Sequence, residues 1–119
     1  MSTTTSLILD RNLVADIRRI EQATGRNGIF AGCVQKLEEN LADFGSAFAA
    51  CLAKGDAGGA ARAAHTLKGA SRQLGAQALG DLFADVERWA KAGDYEQAQR
   101  TFDGGAELIA DSIEALRNA

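Results

Sequence analysis

The single histidine of the chain, His65, lies among residues whose types suit chemistry on an anion. Arg62, Lys68, Gly69 and Arg72 surround it at intervals of three and four. At about 100° per residue these five positions share an arc of roughly 120° on a helix. Ala60, Ala63, Leu67 and Leu74 fall on the other side and form an apolar stripe. His65 is therefore expected to face water. No acidic residue lies between Asp56 and Asp81, so the segment reads as an isolated positive patch. Neighbouring cations disfavour imidazolium and leave a neutral ring whose lone pair can act as a nucleophile. The same cations would stabilise an approaching anion, and Gly69, lacking a side chain, leaves room beside the ring.

Composition removes several competing chemistries. One histidine and two cysteines are too few for a structural zinc site, which wants four nitrogen or sulfur ligands at set spacings. Neither a phosphate-binding GxxxxGK[ST] loop nor a dinucleotide-binding glycine fingerprint occurs, so ATP use is not expected. The 13 basic and 16 acidic residues give a net charge of −3, without the positive field that nucleic acid or an anionic membrane would select. No apolar run approaches membrane-spanning length, and the opening residues lack the apolar core of a secretory signal, so a cytoplasmic protein is expected. Cys33 and Cys51 fall in one expected helix, about 27 Å apart at 1.5 Å per residue. No disulfide can span that distance, and both are expected to be reduced core residues.

Holding the histidine face rigidly requires long helices, and the chain is suited to them. It has 119 residues, 46% of them hydrophobic, with thirteen glycines and no proline. The 24 alanines outnumber the 15 valines, isoleucines and threonines, which favours helix over strand. A chain of this size buries about two-thirds of its unfolded surface, enough for one domain. Residues 1–9 are expected to form an N-terminal tail and residues 10–119 one domain. Gly25, Gly55, Gly75 and Gly93 read as helix stops. A first helix is expected from about Asn12 to Thr24, with Leu13, Ile17 and Ile20 on one stripe. The second carries Phe30, Cys33, Val34, Leu37, Leu41, Phe44, Phe48, Cys51 and Leu52 as a long bundle seam. The third, from Asp56 to Leu74, holds His65. The fourth presents Leu79, Leu82, Phe83, Val86, Trp89 and Ala90, and the fifth starts at Asp94 with a capping box to Gln97. The pair Gly104 and Gly105 interrupts that last helix, permitting a kink or a close helix approach. Short loops between long helices imply an all-α fold, an antiparallel up-down-up-down four-helix bundle with an additional short N-terminal helix.

The run His65-Thr66-Leu67-Lys68-Gly69-Ala70-Ser71, followed by Leu74-Gly75-Ala76, Leu79, Leu82 and Glu87, resembles the histidine-containing phosphotransfer (HPt) domains of two-component phosphorelays. The likeness is dense over Ala63 to Trp89, and the flanking helices fit the family's four-helix bundle. It implies that His65 accepts the phosphoryl group, that Lys68 stabilises its charge and that Gly69 gives clearance. Glu87 matches a position where family members often place a glutamine that hydrogen-bonds the imidazole, so this chain departs from the pattern by using a carboxylate. Accepting from Nδ1–H, Glu87 would fix the tautomer with Nε2 free to attack.

The reaction so implied is reversible transfer from a receiver-domain aspartate to His65 Nε2 and on to another receiver. The chain would be a carrier rather than an autonomous enzyme, with no resident cofactor, and Mg²⁺ would come with the receiver. Implied partners are receiver domains of response regulators or of a hybrid sensor kinase, docking over Arg62 and Arg72 and using Leu13, Ile17 and Gln35. The polar outer faces make a monomer the default. Two other readings are a phosphotransfer domain of a chemotaxis-type kinase and a non-catalytic adaptor bundle, the second of which leaves the lysine and glycine offsets unexplained.

Overall fold

Helix starts and stops follow the side chains that can cap them. The computed structural model describes residues 9–25 and 28–119, so residues 1–8 of the expected tail lie outside the described part. Six helices occur in it: α1 (Arg11–Thr24), α2 (Ile29–Ala53), α3 (Ala57–Gln73), α4 (Gln77–Lys91), α5 (Tyr95–Gly104) and α6 (Ala106–Arg117). Asp10, Asp56 and Asp94 cap α1, α3 and α5, each carboxylate accepting from a backbone N–H of the first turn. The expected Asp94–Gln97 box is half formed, because the Gln97 amide turns down the helix to Thr101 instead of back to residue 94. All four glycines read as stops have positive φ. The fold is all-α, a helical bundle, and among the described residues β structure is confined to one isolated bridge between Leu9 and Ala76.

That bridge ties the N-terminal strap to the α3–α4 turn. Leu9, assigned to the tail by its sequence, is buried in the core. Asp10 donates its N–H to the Gly75 carbonyl. A Cβ at Gly75 would stand 3.0 Å from the Asp10 carbonyl oxygen, and its φ of 85° is one that other residues resist. Glycine is required there on both counts.

The core is centred on α2, α3 and α4. Phe44 and Phe48 stack at 4.9 Å between ring centroids, and Phe83 of α4 and Phe102 of α5 meet Phe44 edge-on. The buried face of α3 consists mostly of small residues, Ala60, Ala61, Ala64 and Ser71, with Leu67 and then Leu74. Small side chains let α4 approach closely, and α3 with α4 is the most extensively packed pair of helices. Gly80 of α4 lies directly under Arg72 of α3, where a Cβ would come within 2.6 Å of Arg72 Cγ.

The structure corrects the burial of Cys33 and settles two points the sequence left open, the buried stripe of α1 and the form of the break in the last helix. Ile20 of α1 is 58% exposed, and the stripe α1 buries runs through Val14 and Glu21. Glu21 is drawn inward because its carboxylate accepts the N–H of Phe30 at 2.8 Å, capping the start of α2, while Arg18 pairs with it at 3.1 Å. The Phe30 N–H is the largest cause holding the Glu21 carboxyl below its usual range, and Arg18 acts with it against the opposing effect of burial. Cys33 is exposed rather than part of the core, on the outward side of α2, while Cys51 is half-buried; both are free thiols. The helix expected to start at Asp94 breaks at Gly105 into α5 and α6. Gly105 is buried, and a Cβ there would stand 2.5 Å from Leu82 Cδ2, so the break brings the backbone against α4.

Candidate functional site

His65 stands at the middle of α3, on the edge facing α4. Its side chain is 65% exposed, as the wheel requires. Its Nδ1 lies 3.2 Å from Oε2 and 3.4 Å from Oε1 of Glu87 on α4. With a carboxylate opposite, Nδ1 carries the proton and donates, which leaves Nε2 as the nitrogen with a lone pair.

Glu87 is the centre of the cluster. Its side chain is only 7% exposed, yet three groups reach it: His65, Lys68 Nζ at 2.7 Å from Oε1 and Lys91 Nζ at 3.0 Å from Oε2. Burial is the largest single influence on this carboxyl and raises its pKa. The hydrogen bonds and charges of Lys68 and Lys91 together outweigh it and bring the pKa from 4.5 to about 2. Glu87 is an anion throughout the neutral range.

The basic patch is thus less isolated than the sequence of α3 suggests. Lys68, expected on the open face, is folded inward and 22% exposed. Arg72 lies across Gly80 and pairs with Asp81 at 3.1 Å. The compensating carboxylates come from α4. Because Arg72 meets Asp81 near one end and His65 meets Glu87 near the other, α3 and α4 run antiparallel along the site. Among the described residues no acidic side chain pairs with Arg62, which remains exposed at the rim. Gly69 adjoins the ring one turn along, and a Cβ built on it meets nothing within 4 Å.

The residues expected to bind a partner are divided. Ile17, with Ile20, Ile29, Cys33, Ala70 and Gln73, lines an apolar groove of about 380 Å³ between α1, α2 and α3, and Gln73 is one turn beyond Gly69. Gln35 lies on another side of α2, in a cleft with Arg18 and Arg117. Leu13 is half-buried and lines neither. Lys91 was missed by the sequence reading. Its signal was present as a glutamate followed four residues later by a lysine, the spacing at which helical side chains meet.

A family model described as Hpt domain matches residues 28–119. The chain belongs to the HPt family. The match takes in α2 to α6, and with them His65, Lys68, Gly69, Glu87 and Lys91, while α1 precedes it. No curated protein and no solved structure gives a significant match. HPt domains are phosphoryl carriers in two-component phosphorelays and interact with receiver domains of response regulators. For this HPt domain a histidine phosphotransfer role follows. No helix described is long and apolar enough to cross a membrane.

Proposed function

We propose that the protein is a cytoplasmic, monomeric intermediate of a multistep phosphorelay, which takes a phosphoryl group from a receiver aspartate onto His65 Nε2 and returns it to the aspartate of another receiver. The observation that carries this reading is the engagement of Nδ1 by buried Glu87, on a ring that is otherwise open to solvent. The Nε2 lone pair forms the N–P bond as the P–O bond to the receiver carboxylate breaks, and the bonding electrons return to that carboxylate. No proton has to leave. The Nδ1 proton stays between ring and Glu87, and the positive charge that develops on the ring is met by the carboxylate.

Lys68 is placed to turn from Glu87 toward the phosphoryl oxygens one helical turn from the ring. Gly69 keeps that approach open, and the apolar groove continues the surface toward α1 as the footing of the receiver, with Ile17 in it and Arg62 at the opposite rim. Gln35 and Leu13 have no place in that footing. This chain's residues do not fit a metal ion. Glu87 has both oxygens occupied by cations and the imidazole, and among the described residues no three potential metal ligands converge. In this reading Mg²⁺ comes with the receiver.

Incubation with a phosphorylated receiver domain tests the proposal. Wild type is expected to acquire an acid-labile, base-stable label, and His65→Gln none. Absence of label on wild type, or equal labelling of both, refutes it.

A further inference from the structure

We infer that Lys91 is a positioning residue of the transfer reaction, which holds Glu87 against the imidazole while Lys68 leaves to meet the phosphoryl group. The inference rests on His65 being the phosphoryl acceptor and specifies how its site survives the change in charge.

The two lysines divide the Glu87 carboxylate between them. Lys68 binds Oε1, whereas Lys91 binds Oε2, the oxygen nearest to His65 Nδ1. An incoming phosphoryl group competes for Lys68, the lysine on the same helix as the ring and one turn away. Once Lys68 turns, Oε1 loses its hydrogen bond, and a buried carboxylate with a single weak partner would either move toward water or take up a proton. Either event would abandon Nδ1 at the moment positive charge develops on the ring. Lys91 prevents this because its ammonium stays on Oε2. It comes from the end of α4, four residues from Glu87 on the same helix, so the movement of Lys68 on α3 does not disturb it.

An ordinary surface pair at this spacing has two solvated partners and contributes little. Here the glutamate is 7% exposed and the lysine 66% exposed, so the buried anion depends on the lysine while the lysine reaches it from solvent. The charge balance agrees. Glu87 with Lys68 and Lys91 carries one net positive charge before transfer. A phosphoryl dianion then engages Lys68, and the pair left behind, Glu87 with Lys91, is neutral apart from the charge it stabilises on the imidazole.

The test is single-turnover transfer from a phosphorylated receiver at varied receiver concentration, for wild type, Lys91→Ala, Lys91→Met and Lys91→Arg. The first-order rate at saturation is expected to fall about tenfold in the Ala and Met variants and to return to within about threefold of wild type in the Arg variant. The half-saturating concentration is expected to stay within about twofold throughout. An unchanged saturating rate in the Ala and Met variants, a change confined to half-saturation, or failure of Arg to restore the rate overturns the inference. In a second arm, phosphoramidate phosphorylates His65 without a receiver, and the Nδ1 proton is followed by ¹⁵N-resolved NMR. It is expected to be protected from exchange in phosphorylated wild type and unprotected in Lys91→Met, and equal protection in both overturns the inference. Wild type that takes up no label, or His65→Gln that takes up as much, instead removes the reading on which it rests. Helical content by circular dichroism accompanies each variant, and Met, which keeps the aliphatic stem, separates loss of charge from loss of packing.

Discussion

Replacing Glu87 with glutamine should remove a specific, acid-sensitive part of the stability. Lys68 and Lys91 lower the Glu87 pKa from 4.5 to about 2 against the opposing effect of burial. At 1.36 kcal/mol per pH unit, this is about 3 kcal/mol of preference for the folded state when the group is ionised. Because the folded pKa is the lower one, the contribution is complete above about pH 4.5 and is lost as pH falls toward 2. Glutamine matches the protonated acid in shape and never ionises. The unfolding free energies of wild type and Glu87→Gln, measured by urea titration at pH 7, 4.5, 3 and 2, should therefore differ by about 3 kcal/mol at pH 7 and converge near pH 2. Other acidic groups titrate in both proteins and cancel in the difference. The magnitude is a sizeable share of the 5–15 kcal/mol typical of a domain, so the curves should be easy to separate. A difference that stays flat between pH 4.5 and 2 would refute the argument that paired lysines hold Glu87 ionised inside the helix interface.

Two substitutions of glycine should act in opposite directions on stability. Gly69→Ala fills open space in the middle of a helix and should stabilise by up to about 1 kcal/mol in thermal unfolding. Gly69→Leu should keep the fold but slow transfer from the receiver, and undiminished transfer would show that clearance at this position is irrelevant. Gly105→Ala places a methyl group against Leu82 and should destabilise by about 1–3 kcal/mol in urea unfolding. Combining it with Leu82→Ala should give less than the sum of the two single losses, whereas simple additivity would argue against the contact.

What the sequence made legible depended on whether one helix sufficed. His65, Lys68 and Gly69 could be placed on one face of α3 because their spacing is a property of that helix alone, and the exposed ring and the open space at Gly69 follow from it. The inward turn of Lys68 and the pairing of Arg72 could not be placed in this way. Their carboxylates arrive from α4 at positions set by how closely α4 packs on the small residues of α3. In α1, the stripe of Leu13, Ile17 and Ile20 could not tell which side is buried, because the backbone N–H of Phe30 needed an acceptor and drew Glu21 inward while Ile20 stayed exposed. Cys33 shows the converse, a residue type usually buried that a long helix presents outward because its buried stripe is already occupied by Phe30, Val34 and Leu37. The break at Gly105 was signalled by a glycine pair, but only the contact with Leu82 explains which of the two glycines is buried.

The whole cluster is supplied by one helical hairpin, with His65 and Glu87 only 22 residues apart in sequence. Contacts of such short separation close small loops, and chains dominated by them fold fast. With no proline in the chain, no slow isomerisation about an X–Pro bond delays the hairpin. The nucleophile and the carboxylate that orients it are thus joined by a local contact across the turn at Gly75. Phe44 of α2 and Phe102 of α5 pack against Phe83 of α4 and hold that hairpin in the bundle.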